Sequence, residues 1–407
     1  MGSTPVGNAV RILDFYINGY RSLANVRWQP APLNVLIGPN GSGKSNVLRA
    51  LQTVSTAASG GLDRLVQRDG GMERLVWDGA TDGFTFQVKL SPAEEHRDEK
   101  TDSFTYRLQL ERIGQSSSYR IAEEILGNFH RVETGESDQP FKLLERVPHR
   151  AVIFDPHQKG LRANDDAIKE TQTLLSVAGG PLSINHFIRD FQKSLTEWTI
   201  YEDVHTNREA EIRQATIARH ETVVEPSGQN LISVLHTLYS SSRESRDEVN
   251  LAMRAAFGDE FEELVFPPAA DQRVQLRVRW KSLQREQSAA DLSDGTLRFL
   301  FLIAVLANPD PPPVIAIDEP ESGLHPSMLP IVAEYARDAS IGSQVILTTH
   351  SPELLDAFGD EQPQAVVVDW RDGMTSLNPV DGDQLAYWLE RYTLGELFRS
   401  RELETIE

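Results

Sequence analysis

Residues Gly38-Pro39-Asn40-Gly41-Ser42-Gly43-Lys44-Ser45 read G-x-x-x-x-G-K-[ST], and each fixed residue type has a chemical reason. Gly38, Gly41 and Gly43 lack a Cβ, so the backbone can curl its N–H groups around an anion. Lys44 is long enough to reach the β- and γ-phosphates of a nucleoside triphosphate. The Ser45 hydroxyl is a ligand for Mg²⁺. Asn40, Ser42 and Asn46 belong to the same loop and are counted with its binding residues.

Three later stretches could complete the chemistry. Val314-Ile315-Ala316-Ile317-Asp318-Glu319 is an apolar run ending in two acids, the pattern of a buried parallel strand whose carboxyl end meets a ligand. Asp318 is the expected second Mg²⁺ ligand, and Glu319 the group that orients or activates water. Gln344-Val345-Ile346-Leu347-Thr348-Thr349-His350-Ser351 is a second such run, ending on His350, which could reach a γ-phosphate. Ala290-Asp291-Leu292-Ser293-Asp294-Gly295-Thr296-Leu297-Arg298 opens an apolar helix with Ser293 as N-cap. Lys44 already holds this chain's phosphate, so that helix N-terminus is suited to the phosphate of a second chain. Lys44, Glu319 and His350 are therefore the catalytic candidates.

The elements that must position these residues can be read from periodicity. Leu33–Ile37 is a buried strand before the glycine loop. Val47, Leu48, Leu51 and Val54 make the apolar stripe of the helix after it, expected to end near Ser55. Val10–Phe15 and Val26–Trp28 read as strands flanking a turn at Gly19–Leu23. From Phe84 to Phe141 the period is two, predicting antiparallel strands with one wet face, with 93–102 as a solvated loop. Val152-Ile153-Phe154 is one more short strand. Ile184, Phe187, Ile188, Phe191, Leu195 and Trp198 share one helix face. Leu231, Val234, Leu235 and Leu238 share another, and Val249, Met253 and Phe257 a third. Arg273 to Lys281 alternates, predicting one strand with Arg273, Arg277, Arg279 and Lys281 on a single face. That face could contact nucleic-acid phosphate or simply protect a sheet edge.

Composition narrows the classes. The 407 residues suffice for a large α/β domain with insertions or for two or three domain-sized units. There is no cysteine, which excludes disulfides, thiol catalysis and cysteine metal sites. No apolar run approaches the roughly 20 residues that span a bilayer. The polar start Met1-Gly2-Ser3-Thr4-Pro5 lacks the order of a signal peptide. A cytoplasmic protein with no membrane contact is the expectation. Forty basic residues against 60 acidic ones give a net charge of −20, unlike a protein that coats DNA.

The order GPNGSGKSN, LSDGT, VIAIDEPESGLHP, TTHS resembles the ABC-type ATPase heads of the RecF and SMC group. It is most similar to the stand-alone RecF-like "AAA family" ATPases, including the ATPase part of OLD-family proteins. Gly19-Tyr20-Arg21-Ser22-Leu23 looks like that group's lead-in, which adds Arg21 to the nucleotide-binding candidates. Ser227–Leu231 and Leu394–Phe398 also look like the stand-alone subgroup, whereas residues 84–290 match only in layout. The resemblance implies an α/β P-loop head with an antiparallel β-lobe and an inserted helical lobe. The expected bounds are 1–160 for the N-terminal ATPase lobe, 161–270 for the helical insertion and 271–407 for the C-terminal ATPase lobe.

It further implies a homodimer, or a higher oligomer, that sandwiches two ATP with Mg²⁺. Ser293, Asp294 and Gly295 would match the signature that caps the partner's γ-phosphate. Gly323-Leu324-His325 would match the D-loop, and His350 the switch histidine. The signature here ends Gly295-Thr296 instead of two glycines. For the Q-loop glutamine, a Mg²⁺ ligand, Gln172 is the choice, with Gln158 next. Roughly 250 residues separate Lys44 from Ser293, more than a transporter ATPase has, and no heptad run fills them. The implied function is an ATP-driven dimeric switch controlling a separate effector, a nuclease in an anti-phage or toxin-like system being the setting the resemblance suggests. The alternative is a RecF-like DNA repair or genome-maintenance ATPase that clamps DNA.

Overall fold

In the computed structural model the described residues are 10–400, apart from 78–80, 94–100, 115–116, 131–140, 149, 156–159, 164–167, 182, 360 and 381–391. They gather into two compact units, each built from discontinuous stretches. Neither unit coincides with a lobe expected from the sequence.

The first unit comprises residues 1–32, 38–198 and 366–379. β1 (Ile12–Tyr20) and β2 (Leu23–Trp28) form a hairpin. β1 continues past Phe15 because Ile17 and Tyr20 extend its buried face. The strand β3 (Leu33–Ile37), which belongs to the second unit, runs straight into the glycine loop, and α1 (Lys44–Ala58) follows, one turn longer than expected. Val47, Leu48, Leu51 and Val54 are fully buried. The short α2 (Leu62–Arg68) comes next.

Then β4 (Gly83–Leu90), β5 (Thr101–Arg112), β6 (Tyr119–His130), β7 (Phe141–Val147), β8 (Arg150–Asp155) and β9 (Gly160–Ala163) extend the hairpin. The result is an eight-stranded antiparallel sheet in the order β2-β1-β4-β5-β6-β7-β8-β9. The two-residue period drives it: Phe84, Phe86, Val88 and Leu90 are buried, and so are Phe104, Tyr106, Leu108 and Leu110. Most of the loop expected at 93–102 lies outside the described residues.

The unit is closed by α3 (Leu174–Ala178) and α4 (His186–Thr196). Phe191 of α4 packs on Phe104 and Tyr106 with ring centroids 6.1 and 6.0 Å apart. Burying each such side chain is worth roughly 1.5–3 kcal/mol. Ile184 was expected on this apolar face. It is exposed instead, because Asn185 caps the helix and places Ile184 outside it.

The second unit comprises 33–37, 199–365 and 380–407. Its centre is a parallel array of β10 (Thr199–Tyr201), β17 (Val314–Asp318), β18 (Gln344–Thr349) and β3, adjacent in that order. Between β10 and β17 come β11 (Thr216–Ile217), α5 (Leu231–Ser241), α6 (Arg243–Phe257), β12 (Phe261–Val265), β13 (Pro268–Ala269), β14 (Arg273–Val274), β15 (Arg277–Trp280), β16 (Gln287–Ser288) and α7 (Asp294–Leu306). These strands make two small antiparallel sheets, β11-β14-β13 and β12-β15-β16.

The single strand expected over 273–281 is therefore broken. Its first half pairs in one small sheet and its second half in the other, so the break falls at Gln275-Leu276. The helix α8 (Leu329–Gly342) joins β17 to β18, and the short α9 (Pro352–Asp356) follows. The strands β19 (Gln364–Arg371) and β20 (Met374–Val380), whose residues 366–379 belong to the first unit, flank Asp372-Gly373, both with positive φ, the hairpin turn expected there. The helix α10 (Leu394–Ser400) ends the described chain. No helix among the described residues is long and apolar enough to cross a membrane.

Candidate nucleotide site

The glycine loop is shaped by its own backbone and braced by residues far away in sequence. Gly41 and Gly43 have φ of 83° and 107°. A Cβ on Gly43 would lie 2.2 Å from Thr375 Oγ1, so glycine is required there by conformation and by space. No side chain caps α1, and at its start the Asn46 and Val47 N–H groups donate to the Gly43 carbonyl at 3.0 and 3.3 Å. Lys44 Nζ arches back to the Gly38 and Pro39 carbonyls at 2.7 and 3.1 Å.

A relay of neutral groups holds the loop. Asn46 Nδ2 donates to Ser22 Oγ at 2.8 Å. Ser22 Oγ meets Thr375 Oγ1 at 2.7 Å, and Thr375 Oγ1 donates to the Ser42 carbonyl at 2.8 Å. The Thr375 N–H closes the circuit on the Ser22 carbonyl at 2.8 Å. The side chain of Asn46 thus braces the loop. Arg21 is held elsewhere: its guanidinium pairs with Asp69 at 2.7 Å and donates to Tyr20 at 3.3 Å. Gln172 lies in the first unit, lining a small cavity with Gly60, Asp63, Lys169 and Thr171, and its carbonyl accepts from Arg146. Gln158 lies outside the described residues.

At the other candidate centre, register alone puts three strand ends together. Asp318 pairs with Thr348, and Thr349 with Ile37, the residue before the glycine loop. The Thr348 hydroxyl donates to Asp318. Glu319 turns sharply, with φ of 47°, and its N–H donates to the Thr348 carbonyl and hydroxyl at 3.2 and 3.1 Å. A non-glycine residue with this φ is held there at a cost of order 1–3 kcal/mol.

The turn aims the Glu319 carboxylate at two groups: His350 Nδ1 at 3.1 Å and the Ser322 hydroxyl, which donates at 3.3 Å. Behind them the largely buried Glu321 side chain accepts from Thr349 Oγ1 at 2.5 Å and from the His350 N–H at 3.4 Å. Its Oε2 is buried with no hydrogen-bond partner, and burial pushes its carboxyl above the ordinary range. Protonation at Oε2 is how such a group avoids an unpaired buried charge.

The strand on the far side of β17 is β10, and sequence reasoning missed it. Its three residues follow directly on the helix face that ends at Trp198, and they are too few to show a period of their own. Thr199-Ile200-Tyr201-Glu202-Asp203 nonetheless repeats, in shorter form, the apolar run ending in two acids of β17. Glu202 and Asp203 line a cavity of about 230 Å³ with Asp318, Glu319, Arg298 and Ser322.

The start of α7 is built as expected and further secured. Ser293 Oγ accepts from the Thr296 N–H at 3.1 Å, and the two hydroxyls meet at 2.8 Å, so Thr296 takes part in the cap. Gly295 leaves room for the Gly323 carbonyl, which would be 2.7 Å from a Cβ. Arg298 donates to the Ser322 carbonyl at 3.2 Å. The helix carrying Ser293 and the turn carrying Glu319 are thereby packed together within one unit.

The basic residues of 273–281 are largely matched. Arg279 pairs with Glu263 and Glu286, Arg277 with Glu286 at 3.7 Å, and Arg273 donates to the Ala215 carbonyl. Lys281 is exposed.

Residues 33–356 match the family described as "AAA domain, putative AbiEii toxin, Type IV TA system". No curated protein matches the chain. Among solved structures it is similar to an Smc head bound to the C-winged helix domain of ScpA. That match has 13% identity over 92% of this chain and 99% of that one, with a TM-score of 0.52. It is also similar to the Pyrococcus furiosus Smc head domain with an extended coiled coil bound to the C-terminal domain of ScpA. There the identity is 14% over 94% of this chain and 99% of that one, with a TM-score of 0.52. At these identities the likeness carries the fold, that of a P-loop ABC-type ATPase head.

Proposed function

The chain belongs to this AAA-domain family of putative AbiEii-type toxins, and on that premise we propose that it is a Mg²⁺-dependent ATPase whose two heads close on ATP as a switch for a separate effector. The observation that carries the catalytic part is the Glu319 carboxylate, turned at a strained residue and bonded to both His350 and Ser322.

The residues suit the ligands. The start of α1, which no side chain caps, and the positive-φ glycine turns fit a triphosphate. The Ser45 hydroxyl and the Asp318 carboxylate are hard oxygen donors of the kind Mg²⁺ takes. Bound Mg²⁺ supplies charge neutralisation at the phosphates. Lys44 adds a fixed positive charge. Glu319 orients the attacking water and accepts its proton, and His350 holds that carboxylate in place from Nδ1. Ser293 and Gly295 of the second chain complete the site over the γ-phosphate, with the α7 N-terminus offering N–H groups.

Hydrolysis in this reading requires two chains, and the head state is what an effector reads. We place the switch in a toxin-like or anti-phage setting, and the family description, which names a putative toxin, supports the toxin-like part.

Glu319→Gln tests the assignment. ATP binding should stay within a few-fold of the parent, hydrolysis should fall by about 100-fold or more, and dimers should accumulate with ATP. Normal turnover by this variant would remove Glu319 from the mechanism.

A further inference from the structure

Arg213 donates to five acceptors, and nothing in the mechanism above uses it. Its side chain is only 6% exposed. Nε donates to the Thr206 carbonyl at 2.7 Å. Nη1 donates to the carbonyls of Ala289, Ala290 and Leu292 at 3.1, 3.3 and 2.7 Å. Nη2 reaches the Asp294 carboxylate. Four of its five acceptors lie in the six residues 289–294, immediately before and at the first turn of α7. One buried guanidinium thus fixes the whole approach to Ser293.

Its partner has a contrary charge for the proposed task. Asp294 is the first residue of α7 and its side chain is 65% exposed. An acid there suits the helix dipole but repels a phosphate brought to the same N-terminus. The guanidinium cancels that charge from the buried side, where water screens little. We propose that Arg213 is a positioning residue of the signature: it presets the backbone that presents Ser293, and it neutralises Asp294 so that the second chain's γ-phosphate can approach. This inference rests on the reading that α7 faces that phosphate.

Arg213→Met removes both effects. In the Glu319→Gln background, ATP-dependent dimerisation should need at least tenfold more protein. Single-chain ATP binding should stay within twofold, because the glycine loop is untouched. Adding Asp294→Asn to Arg213→Met should recover threefold or more of the lost dimerisation, since the uncompensated carboxylate is gone. A merely structural clamp gives no such recovery, and its absence overturns the proposal, as does unchanged dimerisation by Arg213→Met. Should Arg213→Met fail to fold, Asp294→Asn alone decides. Arg213 keeps its carbonyl bonds there and its charge becomes uncompensated, so the dimerisation midpoint should fall by twofold or more. A raised midpoint overturns the proposal. Ser293→Arg separates the two levels: if it dimerises like the parent, the reading of α7 fails and this inference with it. If it blocks dimerisation while Arg213→Met does not, only the inference fails.

Discussion

The glycine loop and the end of β17 are held by opposite kinds of chemistry. Around the glycine loop, Asn46, Ser22 and Thr375 form a relay of neutral donors and acceptors that ends on a backbone carbonyl. Around the end of β17, Glu319, His350 and Glu321 are all ionisable, and Glu319 and His350 keep 35% and 45% of their side chains exposed. A neutral relay has one satisfied arrangement and does not change with protonation. An imidazole–carboxylate pair can exchange partners at little cost, because water replaces what is lost. The contrast suggests a loop built to bind without adjustment and a strand end built to change as a second chain arrives.

Substitutions on each side can break or sharpen that contrast. The largest effect is expected at Lys44: Lys44→Ala should weaken ATP binding by 100-fold or more, measured by titration with a fluorescent nucleotide, and hydrolysis should vanish with it. His350→Ala should leave nucleotide affinity nearly unchanged and lower turnover by about 10- to 100-fold, since it removes the group that orients the base. A parallel loss of affinity would mean that the strand end also binds.

Thr375→Val keeps the shape of the relay but removes both of its hydroxyl bonds, at a cost of about 1–3 kcal/mol. ATP affinity should drop about tenfold with turnover at saturation little altered. An unchanged affinity would show that the relay does not preorganise the loop.

The smallest effect is at Glu321. Burial holds its carboxyl above the ordinary carboxyl range, so the folded state binds that proton more tightly than the unfolded chain does. Its contribution to stability is full below the ordinary carboxyl range and is lost as pH rises through the raised value. Urea midpoints should therefore favour Glu321→Gln over the parent increasingly as pH rises from about 4.5, with the amide nitrogen at the partnerless Oε2 position.

The parts of this arrangement that were legible in the sequence share one property: their signal is local. Gly38–Ser45, the run into Asp318 and the run into His350 each state their element and their chemistry within a few residues. The Asp372-Gly373 turn is equally self-contained. What escaped is non-local. Thr375 acts on a carbonyl more than 300 residues away, and Arg213 on carbonyls almost 80 residues away. Neither contact leaves a trace in the spacing of its neighbours.

The strand β10 has three residues, too short for a period to show. The alternation over 273–281 was genuine, but periodicity cannot tell one strand from two halves paired in different sheets. Gln172 rests on a resemblance in layout alone, and the strand beside β17 leads into Glu202-Asp203.

The central claim, that each hydrolytic site is completed by a second chain, can be tested by mixing two inactive variants before ATP is added. Ser293→Arg chains keep Glu319 but spoil the partner's site. Glu319→Gln chains keep Ser293 but cannot hydrolyse. A mixed dimer has one site with an intact Glu319 facing an intact Ser293, so mixing should restore a large fraction of parental turnover per dimer, rising with protein concentration. Turnover that stays at the sum of the two inactive preparations, while mixed dimers are shown to form, would contradict the account.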